Sequence, residues 1–425
     1  MSASLPGRFW LPAGGGGRGR RGTKTPSGGK SSGTGTDGGV RTRLNLRSTI
    51  TVAVAGSVGA GAAAASASHG QQFARRALLA GAAAIAPALA AAQPAFAKKA
   101  ASSSVGGNGG RGSSAPVPQP VTKVDLAGRR LVAIGDVHGD FMQTMKALEL
   151  AKVMDTSGHW VGGSTVLVQV GDILDRGDSE LAIMRKFRAL AKEAKEAGGD
   201  VITINGNHEI MNVLGDFRYA TKGAYAEDAR YVEKQHAKLV ATEGAENVLP
   251  LPTAPEGKDP EAFAGISARR SLFLPGGEMA LKMATNPTVL QVGDTVFAHA
   301  GITSDHVEYG FERLNNEVAA WMAGKTSSPP KHVLEEKGVV WTRDYGGADA
   351  GANAGAEQAA CRRLSAALEA TGAARLVVGH TPQAKGINSG CGGKVWRTDV
   401  GVSRGIYGSA PQVIEIVGGK VRVLA

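Results

Sequence analysis

The sequence predicts an α/β sandwich whose sheets are partly parallel and partly antiparallel. Three observations carry that reading. Short apolar runs recur at regular spacing through the middle of the chain, segments with helical periodicity separate them, and the C-terminal part is rich in strand and hairpin patterns. The runs are Leu131-Val132-Ala133-Ile134, residues 166–170 and residues 201–204, each of a length suited to a buried strand. Between them, residues 141–153 and 179–197 place apolar side chains at helical spacing, with Ser179 as the expected N-cap and Glu180 in the first turn. Strand, helix and strand in alternation need long right-handed crossovers and a parallel sheet. Residues 289–298 read as a hairpin around Gly293-Asp294. Helices follow near 311–322 and 357–371, with a strand at 375–378. Strands at 394–398, 413–417 and 421–424 close the chain, the last two joined by a Gly418-Gly419 turn. No repeat is visible beyond this beat.

Composition excludes several classes. Two cysteines among 425 residues cannot staple a disulfide scaffold, and no apolar run is long enough for a membrane span. The net charge of +11 suggests a nucleic-acid partner only until it is located. Residues 1–121 hold 14 Lys/Arg and the single acid Asp37; the remaining 34 basic and 36 acidic residues nearly cancel. A nucleic-acid partner is therefore not expected. The tail, rich in Gly, Ser, Thr, Ala and Arg, cannot bury enough apolar surface to offset the entropy of ordering, and is expected to be a disordered targeting region. Its composition fits a plastid transit peptide. Arg75-Arg76, the uncharged Ala-rich stretch after them and Ala95-Phe96-Ala97 resemble a twin-arginine export signal of the thylakoid-lumen type. The expected division is a presequence over 1–97, a flexible linker over 98–121 and a catalytic domain over 122–425. The expected location is the chloroplast, in stroma or lumen.

Candidate chemistry sits where strands end. Gly135-Asp136-Val137-His138-Gly139-Asp140 follows the first run, Gly171-Asp172-Ile173-Leu174-Asp175-Arg176-Gly177 the second and Gly206-Asn207-His208-Glu209 the third. Open α/β sheets bind ligands at the carboxyl ends of their strands, so these loops should converge. Oxygen and imidazole donors without thiolate suit Mn²⁺, with Fe or Zn²⁺ as alternatives. The donors are too many for one ion, and a carboxylate such as Asp172 can bridge two. Further imidazoles are expected from His299 and His380, which also follow strands.

The ordered motifs GDVHGD, GDILDRG, GNHE, HAG and GHTP resemble the phosphoprotein phosphatase family of the calcineurin-like metallophosphoesterase superfamily. The segments VVWTRDY (339–345) and VWRTDVG (395–401) resemble its Shewanella-like branch, which has chloroplast members. The resemblance covers about residues 128–418. It implies an αββα sandwich and a binuclear metal-dependent enzyme hydrolysing phosphoserine, phosphothreonine or phosphotyrosine in proteins by direct attack of a hydroxide bridging the ions. It also implies roles: Asp136 and His138 on one divalent ion, Asp172 shared, and Asn207, His299 and His380 on the other. His208 would be the general acid oriented by Asp175, with Arg176 and Arg343 gripping phosphate. A small-molecule phosphoesterase or dinucleoside polyphosphate hydrolase, and an inactive phosphoprotein-binding scaffold, are the rival readings.

Bland readings stand for the rest. Asp140 is expected to support His138, and Glu209 to support the ligands rather than join them. His159, His236 and His306 are expected at the surface or in structural contacts. Arg218 is read as a solvated face, Trp341 and Trp396 as core, and Cys361 and Cys391 as free thiols. Residues 211–288 are an insert expected to form helices and a loop over the cleft.

Overall fold

The computed structural model describes residues 117–425. The presequence expected over 1–97 and most of the linker lie outside the described residues.

Two sheets stack face to face. The first has the order β11-β10-β2-β3-β4, from Lys420–Leu424 (β11), Val413–Val417 (β10), Leu131–Ile134 (β2), Val166–Gln169 (β3) and Asp200–Thr203 (β4). The second has the order β1-β5-β6-β7-β9-β8, from Lys123–Val124 (β1), Val289–Val292 (β5), Thr295–Ala298 (β6), Arg375–Val378 (β7), Val395–Arg397 (β9) and Asn388–Gly390 (β8). β2, β3 and β4 run parallel, as the crossover spacing requires, and β10 and β11 pair antiparallel. β5 and β6 form the expected hairpin, and β6, β7 and β9 are parallel.

The alternation of strand side chains builds the layers. Leu131 and Ala133 of β2 join Val166, Val168, Leu290, Phe297 and Val377 in a dry core between the sheets. Their neighbours Val132, Ile134 and Leu167 point the other way, into a core with the helices Phe141–Leu150 (α1) and Glu180–Glu196 (α2). Val289, Val296 and Leu376 do the same for the second sheet against Phe311–Met322 (α8) and Ala354–Thr371 (α9). The result is the αββα sandwich. β4 is half-buried rather than buried because it is an edge strand. None of the helices among the described residues is long and apolar enough to cross a membrane.

The insert is helical. Asn207–Val213 (α3) leads into Lys222–Glu243 (α4), Pro260–Phe273 (α5) and Glu278–Met283 (α6), with α4 packed along α5. A short helix, Ser304–Tyr309 (α7), precedes α8.

Three local expectations need correction. Ser179 occupies the cap position of α2 but makes no capping hydrogen bond; Glu227 of α4 accepts from Leu181 N and Ala182 N instead. Asp140 does not support His138. It caps α1 by accepting from Gln143 N and pairs with Arg404, while His138 Nδ1 lies 2.9 Å from Leu174 O. Cys361 and Cys391 are not free thiols. The β8–β9 turn carries Cys391 against α9, where the two form a disulfide with Cα atoms 5.1 Å apart.

Candidate metal centre

Parallel order in both sheets turns the loops after β2, β3, β4, β6 and β7 toward one place. Three of these turns are tight: His138 after β2, Asp172, Asp175 and Arg176 after β3, and His380 after β7 all have positive φ, between 39° and 68°. Strain of this kind persists only where surrounding structure enforces it and gathers at functional sites. Two glycines allow the close approach. A Cβ on Gly206 would lie 2.2 Å from Asp172 Oδ1, and one on Gly379 would lie 2.1 Å from Asp136 Oδ1.

All six expected ligands come together and are buried. Asp172 Oδ2 is central, 3.2 Å from His299 Nε2, 3.8 Å from His138 Nε2 and 3.9 Å from His208 Nε2. Asn207 Oδ1 sits 2.9 Å from His299 Nε2 and 2.8 Å from His380 Nδ1. Two groups of donors share Asp172: His138 with His208, and His299 with His380. Asp136 stands outside both triplets, but its Oδ2 accepts from His380 N at 3.0 Å while its buried Oδ1 has no hydrogen-bond partner. His380 Nε2 is likewise buried and unpartnered. Orphaned donors in a cage of carboxylate, amide and imidazole, without sulfur, fit divalent cations.

Burial dominates the ionisation. It drives His138 down to about 3, with the neighbouring His208 adding to the effect, and holds His380 well below the usual imidazole range together with Arg343. Both are thus neutral, the form that binds metal. Burial also opposes charging of His208, but Asp172 and Asp175 outweigh it and raise its pKa. The closest contact is His208 Nδ1 to Asp175 Oδ2 at 2.6 Å. That bond leaves Nε2 facing the cage.

Glu209 supports the loops, as expected. Its buried carboxylate accepts from Gly206 N, Asp172 N, Ile173 N and Leu174 N at 2.7 to 3.2 Å. Arg176 and Arg343 are half-buried at the same mouth. The Arg176 guanidinium lies 4.6 Å from the Tyr219 ring, and Arg343 Nη1 donates to Thr381 Oγ1. The Arg343 pKa is lowered, chiefly by burial and in part by the Arg176 charge, against the pull of Asp399, Asp172 and Asp136. Two guanidiniums above a carboxylate cluster form an electropositive rim over an anionic floor.

Other residues fall where the bland readings put them. Arg218 is exposed and paired with Asp216. His159 is exposed, His236 bonds Leu249 O, and His306 is buried against His332. Trp341 and Trp396 pack on the cores while partly exposed. The Trp341 ring also meets His380 edge-on at 6.2 Å.

Sequence reading missed two members. Asp399, just beyond β9, is buried close enough to Asp136 to repel its charge and accepts from Gly401 N at 2.8 Å, and burial pushes its pKa up to about 6. Its signal was available, an acid followed closely by glycine at a strand end. Arg269, in the middle of α5, reaches Asp175 from the insert and had no local signal.

Comparison with known proteins agrees with this geometry. Residues 129–384 match the calcineurin-like phosphoesterase model. The chain belongs to the calcineurin-like phosphoesterase family. It is therefore a hydrolase of phosphoesters. Within the family it is similar to Shewanella-like protein phosphatase 2 of Arabidopsis thaliana, 39% identical over 298 residues, which span 68% of this chain and 75% of the relative. Shewanella-like protein phosphatase 1 of Plasmodium berghei is 26% identical over 285 residues, covering 64% of this chain and 67% of that one. The crystal structure of a cold-active protein-tyrosine phosphatase from a psychrophilic Shewanella species shares the fold, with a TM-score of 0.50 at 20% identity over 72% of this chain and 84% of that chain.

Proposed function

We propose that this phosphoesterase is a metal-dependent protein phosphatase that removes phosphate from phosphoserine and phosphothreonine. The observation that carries the reading is the pairing, at one mouth, of a buried donor cage with two guanidiniums and a His–Asp pair. Asp136 and His138 would hold one divalent ion, Asn207, His299 and His380 the other, and Asp172 both; manganese suits the oxygen and imidazole donors. Two such cations supply Lewis acidity toward phosphoryl oxygens and lower the pKa of a water. Arg176 and Arg343 bind the remaining phosphate oxygens as planar forks. His208 presents a proton from Nε2 to the departing side-chain oxygen, and Asp175 fixes the ring so that Nε2 faces the cage. No nucleophilic side chain is needed, since phosphoryl transfer depends on positioning and charge neutralisation.

Similarity to proteins named as protein phosphatases supports a phosphoprotein substrate. The acid-poor, Arg-bearing tail supports a chloroplast location, in stroma or lumen. The test compares purified full-length chain with Mn²⁺ on phosphoserine, phosphothreonine and phosphotyrosine peptides and on dinucleoside polyphosphates. Turnover of phosphoserine and phosphothreonine peptides that falls by a factor on the order of 10² or more in His208→Asn supports the reading. Preference for the nucleotides would replace it with a small-molecule phosphoesterase.

A further inference from the structure

Arg269 is a buried cation that the roles above leave unused. Its side chain is fully buried on α5, walled by the Phe273 ring at 4.8 Å and by Phe217 and Tyr225. Its donors spread over four groups. Nη2 reaches Asp175 Oδ1 at 3.2 Å, Nη1 reaches Glu180 Oε2 at 2.8 Å and Asp228 Oδ2 at 3.0 Å, and Nε reaches Asn212 Oδ1 at 3.0 Å. Asn212 Nδ2 then donates at 3.2 Å to Asp175 Oδ2, the oxygen that holds His208 Nδ1. Both oxygens of Asp175 are thus addressed by one guanidinium, directly and through Asn212. Its backbone is addressed too: Asp175 N donates to Glu180 Oε1, which Arg269 Nη2 also contacts.

Stability alone is a poor reason for this cluster. Three buried carboxylates around one guanidinium carry a desolvation cost that Coulomb attraction repays only with good geometry, and apolar replacements often do as well. What a planar fork adds is direction. Asp175 sits in the left-handed region at φ 68°, a backbone state that persists only where surrounding contacts enforce it, and this cluster holds both its N–H and its carboxylate.

We propose that Arg269 is a positioning residue for proton delivery, through which the insert helix α5 sets the aim of the Asp175–His208 pair. This rests on the reading of His208 as the proton donor. In hydrolysis the bond from phosphorus to the departing oxygen breaks while the oxygen of water bonds to phosphorus. The proton on His208 Nε2 goes to the departing oxygen, and a proton released by the water restores His208 by way of solvent. A misdirected imidazole slows this transfer and leaves phosphate binding intact.

The test uses leaving groups, with the full chain and Mn²⁺. p-Nitrophenol departs readily as an anion and needs little protonation, whereas phenol, a far weaker acid, needs much more. His208→Asn should therefore lose much more kcat on phenyl phosphate than on p-nitrophenyl phosphate, out of the roughly 10² to 10⁴ that a general acid supplies. Arg269→Met should show the same bias, about 10-fold or more, with KM little changed, and should add no further bias in the His208→Asn background. Arg269→Lys keeps the buried charge and serves if the Met variant folds poorly; the same bias is expected, in smaller degree. A merely structural role would lower the melting temperature and the active fraction, which scale both substrates alike and leave their ratio at the wild-type value. A wild-type ratio in both Arg269 variants, with His208→Asn biased, overturns the proposal and spares the reading beneath it. An unbiased His208→Asn removes both.

Discussion

Replacing Glu209 with Gln probes how the cage is held without touching a ligand. The Glu209 carboxylate accepts four backbone N–H groups: Oε2 takes Gly206 N at 2.7 Å and Asp172 N at 2.9 Å, and Oε1 takes Ile173 N at 2.9 Å and Leu174 N at 3.2 Å. The Gln side chain has the same shape but one acceptor. Whichever way its amide turns, two buried N–H groups lose a partner and face an NH₂. At about 1–3 kcal/mol for each unsatisfied buried donor, the loss is about 2–6 kcal/mol. Three of the four groups belong to the loop that carries Asp172, so metal affinity should fall with stability, by about 10–100-fold as is usual for a residue that braces a ligand. Denaturant unfolding gives the first quantity and equilibrium dialysis against Mn²⁺ the second. Burial and the Asp172 charge push the Glu209 pKa up while the N–H groups of Gly206 and Asp172 pull it down. Unchanged stability and unchanged Mn²⁺ binding in Glu209→Gln would mean that the carboxyl is already neutral and that the bracing argument is wrong.

Other outcomes follow from the same contacts. The Cys361–Cys391 bridge closes a loop with a sequence separation of 30, for which the chain-entropy relation gives about 3.5 kcal/mol. The Cys361→Ser/Cys391→Ser variant should unfold at lower denaturant by that order, and alkylation of the unreduced, unfolded wild type should label neither cysteine. Burial pushes the Asp344 pKa up, but hydrogen bonds from Lys337 and Arg363 outweigh it and hold the group below its ordinary value. A depressed carboxyl stabilises the fold above its unfolded pKa, and that contribution is lost as pH falls through the folded pKa. Asp344→Asn should therefore cost stability near neutrality, and its deficit should shrink below about pH 4; a deficit that stays constant with pH would assign the loss to packing instead.

Legibility in the sequence followed the range of the interactions. Leu131–Ile134 and Phe311–Met322 were readable because period 2 and period 3.6 are local signals, and the strand-end loops carried their chemistry in short motifs. Parallel order then implies the convergence of Asp136, Asp172 and Asn207 at the carboxyl ends of the strands. What escaped was long-range. Asp140 lies next to the His138 loop in sequence, yet its partner Arg404 comes from the far end of the chain. Cys391 meets Cys361 only because the β8–β9 turn passes α9, and Glu227 caps α2 from another helix. In the sequence Arg269 is one of several cations in the 211–288 insert. Its burial and its hold on Asp175 are properties of the packed structure, with no periodicity to announce them.

Stoichiometric metal titration of chelated protein reports on the cage most directly, with bound metal and phosphopeptide turnover followed together. Two equivalents of divalent cation per chain should bind and restore turnover, and Asp172→Asn should lose both bound metal and activity. Full phosphopeptide turnover in protein whose metal content stays near zero by elemental analysis would contradict a shared cation site on Asp136, His138, Asp172, Asn207, His299 and His380.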